Sequence, residues 1–240
     1  MRNAIKTRIA GLTTTALAGI AVLVAPGSAQ AADPSTDKLI AAYTAEMTAL
    51  SDQGDAQAAE TLSQFKALTD NEKARFVTIV NDPEIFKKIF EASETAPAPG
   101  KTTMRKLAGG DVVVKTESGT SVAKSTGLSA AAASVSRSAW HINTDYVLGV
   151  KVSGQKVTTN YVTRGKDTTK VNPGSAEGYE YIPGCSLSHG VVEEWISAAP
   201  ADNAHSETVW TADCASSWDG RQRVWGDYRG FVGGYLKLFN

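Results

Sequence analysis

Apolar residues recur at three- and four-residue steps through the first third of the chain and at every second position through the last. From Asp37, Leu39, Ile40, Tyr43, Met47 and Leu50 mark one face of a helix. Gln53-Gly54-Asp55 interrupts it, and a second periodic run follows through Ala58, Ala59, Leu62, Phe65 and Leu68. Thr69, with Glu72 three residues on, is a capping-box pattern. It opens a helix that buries Phe76, Val77, Ile79 and Val80. Asp82-Pro83-Glu84 reads as an N-cap followed by proline at the first helical position, and Ile85, Phe86, Ile89 and Phe90 supply the apolar face of a short last helix. Four such helices predict a small bundle over residues 32–95, with a core too small to be more than marginal alone.

Thr95-Ala-Pro-Ala-Pro-Gly100 ends the helical region as a semi-stiff spacer. Val112, Val113 and Val114 suggest one strand. The Ser-, Ala-, Gly- and Thr-rich stretch from Ser118 to Ser138 carries little to bury, with at most a short helix through Ala130–Ala133. Residues 96–137 therefore read as a flexible linker with one strand.

From Ser138 the period is two. Trp140, Ile142, Thr144, Tyr146, Leu148, Val150 and Val152 alternate with His141, Asn143, Asp145, Val147, Gly149 and Lys151, which predicts a strand with the first set buried. Ser153-Gly154-Gln155 is the expected turn, and Val157, Thr159, Tyr161 and Thr163 continue into a second strand. Gly165-Lys166-Asp167 and Asn172-Pro173-Gly174 supply further turns. Later strands are expected at 179–182, 190–196, 208–214, 222–228 and 231–238. The fold class is α+β: a short N-terminal helical bundle, then an antiparallel β-sandwich or barrel over residues 138–240.

The N-terminus changes the picture of where the chain works. Arg2, Lys6 and Arg8, an uncharged run from Ile9 to Ala25, Pro26-Gly27 and Ala29-Gln30-Ala31 have the three parts of a secretory signal peptide over residues 1–31, with cleavage before Ala32. No later run is apolar enough to span a membrane, so a secreted, extracellular product is expected. The sequence holds 24 basic and 25 acidic residues, and loss of the leader moves its formal charge from −1 to −4. That argues against nucleic acid as a partner and against a polybasic membrane patch. In an oxidising compartment Cys185 and Cys214, the only cysteines, predict a disulfide.

Chemistry is sparse. The three histidines, His141, His189 and His205, form no catalytic spacing. His141 falls on the polar face of its strand, and Ser188-His189 point to opposite faces. Glu193-Glu194 are neighbours that also point apart. No nucleophile elbow, zinc motif, calcium loop or phosphate-binding glycine loop is present, so neither a cofactor nor a metal is expected and an enzyme is the weaker reading. All five tryptophans lie in the last 101 residues. Trp140 is expected in the core, whereas Trp218, in the turn-like Ser216-Ser217-Trp218-Asp219-Gly220, is expected to be exposed. With Arg221, Arg223 and Trp225 it makes a candidate cationic-aromatic contact surface.

The layout resembles that of uncharacterised secreted proteins of Gram-positive bacteria. The shared features are an exported chain, a helical stretch ending in Asn81-Asp-Pro-Glu-Ile-Phe-Lys-Lys-Ile-Phe90 and a cysteine-bearing β half. Some of those proteins are labelled bacteriocin-like, and the alanine content and A-Q-A site look actinobacterial. The resemblance implies an antibacterial or cell-surface role and carries over no site residue. The resulting expectation is a non-enzymatic protein whose β domain binds a cell-envelope glycan or an extracellular protein, with residues 32–95 as an accessory or pro-region. A hydrolase with a helical propeptide, using His189 or His205 beside a carboxylate, and a protease inhibitor with a loop stiffened near Pro183-Gly184-Cys185 are the alternatives.

Overall fold

The computed structural model describes residues 35–82, 84–93, 95–123 and 134–239. The leader, Pro83 and the segment Ala130–Ala133 lie outside the described residues. Four helices come first: α1 (Thr36–Asp52), α2 (Ala56–Ala67), α3 (Asp70–Val80) and α4 (Ile85–Glu91). Asp55 caps α2 by accepting from the backbone N–H groups of Gln57 and Ala58 at 2.9 and 3.0 Å. The Thr69/Glu72 capping box opens α3 as expected. Tyr43, Phe65 and Phe76, one from each of α1, α2 and α3, meet in a ring cluster with centroids 4.9–5.0 Å apart.

Ten strands follow: β1 (Thr102–Leu107), β2 (Val112–Val122), β3 (Ser134–Val147), β4 (Val150–Arg164), β5 (Asp167–Glu180), β6 (Ser186–His189), β7 (Glu193–Ile196), β8 (Ala204–Asp213), β9 (Ser217–Asp227) and β10 (Gly230–Phe239). The first sheet is an antiparallel meander in the order β1-β2-β3-β4-β5. The second runs β10-β9-β8-β6, and β7 pairs with the other half of the same β8 edge. The two sheets pack face to face as a sandwich. The stretch expected to be a linker therefore contributes β1, β2 and the start of β3. Its small residues suit a sheet because large neighbours cover them: the Trp140 ring lies across Gly119, its cross-strand partner.

The β3–β4 hairpin departs from expectation twice. Its turn is Leu148-Gly149, both residues having positive φ (49° and 81°), the geometry of the two-residue hairpin turns that follow sheet twist. Ser153-Gly154-Gln155 lies inside β4, where the Tyr179 ring covers Gly154. The buried face of β3 is also the opposite one: Ala139, His141, Asn143, Asp145 and Val147 point inward, while Trp140, Ile142 and Tyr146 are only half-buried. In β4 the expected row Val157, Thr159, Tyr161 and Thr163 is the buried one. Asn172-Pro173-Gly174 is not a turn but an irregular stretch of β5 opposite a register shift in β4, the setting in which a strand tolerates proline.

The interior between the sheets is consequently rich in polar groups, many of them bonded to one another. Thr116 Oγ1 donates to Asn143 Oδ1 at 2.8 Å and Ser153 Oγ to Asp145 Oδ2 at 2.6 Å. Trp210 Nε1 donates to Gln222 Oε1 at 2.7 Å, which turns the Gln222 amide nitrogen toward the His141 carbonyl (3.2 Å) and His141 Nδ1 (3.3 Å). That arrangement leaves the His141 proton on Nε2, and burial holds the ring's pKa down to about 4, so it is neutral.

Helices and sandwich share one apolar core. Thr61 Oγ1 donates to the Lys151 carbonyl at 2.8 Å and the Lys151 N–H donates to Gln64 Oε1 at 2.8 Å, fixing α2 beside the hairpin turn. The Tyr181 hydroxyl donates to Asp55, and Phe90 of α4 packs against Gly220 and beside Leu236. No described helix is long and apolar enough to cross a membrane. Cys185 and Cys214 form the expected disulfide, tying the β5–β6 connection to the β8–β9 connection.

Candidate functional site

Strand parity decides which side chains meet on the outer face of the second sheet. In β8 and β9 the inward set is Ala204, Ser206, Thr208, Trp210 and Ala212 with Trp218, Gly220, Gln222 and Val224, all buried. The outward set falls into rows that the strand registers align. The first row is Trp195–His205–Trp225–Gly233 and the second Glu193–Glu207–Arg223–Tyr235. The third is Val209–Arg221–Lys237 and the fourth Thr211–Asp219–Phe239. Successive rows lie about 7 Å apart along the strands.

Three of the four residues expected to make contact, Arg221, Arg223 and Trp225, thus share one face. Trp218 does not. β9 already begins at Ser217, so Trp218 falls in the even-numbered, inward row opposite Ala212, and it is 8% exposed. Its Ser- and Gly-rich surroundings are strand ends rather than a turn. Trp195, His205, Glu207, Tyr235 and Lys237 complete the face. The sequence does not join them to that surface, His205 being considered only as a hydrolase residue: His205 and Glu207 lie on β8, Trp195 on β7 and Tyr235 and Lys237 on β10, which only the pairing register brings beside β9.

The first row is a stack. The Trp195 and His205 rings are 4.8 Å apart and 3° from parallel, and Trp225 lies 5.8 Å beyond His205 at 25°. Trp225 can lean over the next strand because its partner there is Gly233, where any side chain would collide with the indole. Neither His205 ring nitrogen has a partner among the described residues. Burial, with the nearby Arg223 cation, pushes its pKa down to about 4, so the ring is neutral near pH 7. Closed between two indoles, His205 serves as a spacer in the stack.

The second row centres on Glu207. Arg223 Nε donates to its Oε2, Arg221 Nε lies 3.3 Å from Oε1, and the Tyr235 hydroxyl donates to Oε2 at 3.4 Å. The Arg223 guanidinium sits 4.9 Å from the Trp195 ring centre and 5.5 Å from that of Tyr235. Arg221 covers Phe239 at 5.1 Å, and Lys237 reaches over Tyr235 at 5.4 Å.

A cleft of about 230 Å³ opens at one side of these rows, lined by Gly190, Val191, Glu193, Glu207, Val209 and Arg221 among others. It exists because the strand expected over 190–196 is confined to β7, while β6 precedes it: β6 and β7 pair with different halves of β8, and the chain between them swings outward. Gly190 N–H donates to the Val209 carbonyl at 2.8 Å, and Thr208 Oγ1 donates to the Gly190 carbonyl at 3.0 Å, fixing that excursion. Glu193 and Glu194 do point apart. Glu193 stands opposite Glu207, and Glu194 Oε1 accepts from Gly174 N–H at 2.8 Å.

The remaining histidines offer no such surface. His141 is fully buried, not solvated as its place among polar residues suggested. The exposed His189 turns Nδ1 to the Gly190 carbonyl at 2.8 Å and meets Trp210 edge-on. Among the described residues, no group of three or more His, Cys, Asp or Glu side chains converges to hold a metal ion. No protein-family model, curated protein or solved structure matches the chain.

Proposed function

We propose that the chain is an exported protein, processed before Ala32, whose outer β7-β8-β9-β10 face binds a cell-envelope glycan without chemically altering it. The observation that carries this reading is the alternation of an aromatic row, Trp195–His205–Trp225, with a charged row, Glu193–Glu207–Arg223, on one face of the sheet. Sugar rings have the same alternation, with C–H faces that stack on aromatic rings and hydroxyls that pair with guanidinium and carboxylate groups. A protein partner is weighed against by Glu207 at the centre of the face, because protein interfaces deplete glutamate. The disulfide suits an oxidising compartment. An antibacterial effector acting at the envelope is the role this binding would serve.

The test is sedimentation of the full chain with insoluble wall glycan, comparing Trp195→Ala/Trp225→Ala with Trp140→Ala, a tryptophan on the other sheet. The first variant should lose at least about tenfold in affinity, about 1.4 kcal/mol, while the second binds as the parent does. Equal binding by all three proteins would reject this face as the site.

A further inference from the structure

We propose that the glycan bound by this face is anionic, its phosphodiester or carboxylate groups seating between Arg221 and Lys237. The inference rests on the glycan reading above and names the substrate class of the same site. Register places Arg221 directly opposite Lys237 on the outward side of β9 and β10. Like charges in direct cross-strand positions destabilise a sheet, so this pair works against the fold unless an anion joins it.

The fold supplies little compensation. The nearby carboxylate is Glu207, and its oxygens already serve Arg223, the Arg221 Nε and the Tyr235 hydroxyl. Lys237 makes no ion pair among the described residues, and the terminal nitrogens of Arg221 donate to no partner there. Asp219 is turned to Thr211, whose hydroxyl donates to its Oδ1 at 2.7 Å. Both cations are nevertheless held in place: Arg221 over the Phe239 ring and by Glu207, and Lys237 over Tyr235. A guanidinium tethered through Nε presents its two outer nitrogens as a fork, the geometry that matches two oxygens of a phosphate or carboxylate.

The rest of the face gives the ligand a direction. Glu193, opposite Glu207 on the cleft side, repels an anion there, so the charge is steered to the β9–β10 side. Tyr235 lies one row from Lys237, about 7 Å away along the strand, and the Trp195–His205–Trp225 stack lies one row further. A chain lying along the strands would meet rings in one row and cations two rows on, which suits a polymer with charge recurring along its length. The chain as a whole is slightly acidic, so this attraction is local and not that of a general polyanion binder.

Binding of the full chain is measured to three polymers, a neutral chitin-type glycan, polygalacturonate and poly(glycerol phosphate), at about 50 and about 500 mM salt, conditions that differ strongly in screening. At low salt the anionic polymers should bind at least about tenfold more tightly than the neutral one, and the advantage should vanish at high salt. Arg221→Gln/Lys237→Gln should abolish the advantage, bringing affinity for the anionic polymers down to that for the neutral glycan. Preference for one anionic polymer identifies whether phosphodiester or carboxylate is the natural group. Equal affinity for all three, or an advantage that survives the double substitution, overturns the anionic seat and leaves glycan binding standing. No binding to any of the three overturns the glycan reading itself.

Discussion

Asp145 is fully buried, with Ser153 on one carboxyl oxygen and no partner among the described residues on the other. Burial pushes its pKa up to about 7. Burial also pushes Glu180 up to about 8. A carboxyl that holds its proton in the folded state but loses it near pH 4 when unfolded stabilises the fold at low pH. That stability declines as pH climbs to the folded pKa. His141 and His205, both pushed down to about 4 by burial, act in the opposite sense: stability rises from about pH 4 to 6.5 and is flat above. Below pH 6.5 the two pairs oppose each other, and above it only the carboxyls still titrate. Urea unfolding should therefore show stability falling between about pH 6.5 and 8. Asp145→Asn should gain on the parent by roughly 2–4 kcal/mol between pH 4 and 8. A variant whose difference from the parent is the same at both pH values would show that Asp145 is ionised throughout.

The elements were legible in proportion to how local their causes are. The Thr69/Glu72 box and the apolar stripes of α1 to α3 are written within a few residues, and the helices form where those signals stand. Replacing Thr69 by Ala should cost about 1 kcal/mol in urea unfolding through loss of the cap. An unchanged midpoint would mean that packing alone holds the start of α3. In β3 the period of two was visible but its inward side was not. Alternation alone gives no sign of direction, and the polar row goes inside because Thr116, Ser153 and Gln222 arrive from other strands to bond it. The candidate face was half visible for the same reason: Arg221, Arg223 and Trp225 share a strand, whereas Trp195, Tyr235 and Lys237 join them only through register. The disulfide closes a 29-residue separation. Loop entropy assigns it about 3.5 kcal/mol, so Cys185→Ser/Cys214→Ser should lower unfolding stability by about that amount. A loss below about 1 kcal/mol would mean that the β6 and β8 pairing already holds the two connections together in the unfolded ensemble.

At the scale of the molecule, the question is whether the helical region is a removable pro-region or part of the fold. The described residues form one compact unit, and the apolar faces of the helices close on the sandwich, not only on each other. A cut between residues 107 and 138 would also remove β1 from the first sheet, and one beyond Val122 would remove β2 as well. Phe90 gives the sharpest test. It is 2% exposed, it stacks edge-on with Phe86, and it presses on Gly220 and lies beside Leu236 in the second sheet. Its ring therefore couples α4 to the strands that carry Arg221, Arg223 and Lys237 on their other side. Phe90→Ala should cost about 3–5 kcal/mol. If helices and sheets unfold as one cooperative body, the loss must appear equally in far-ultraviolet circular dichroism, dominated by the helices, and in tryptophan fluorescence, which reports only on residues 140–225. A separable pro-region would shift the helical signal alone and leave the fluorescence midpoint in place. Coincident shifts would mean that a protease cannot discard the helices without unfolding the binding face, so the working form keeps both.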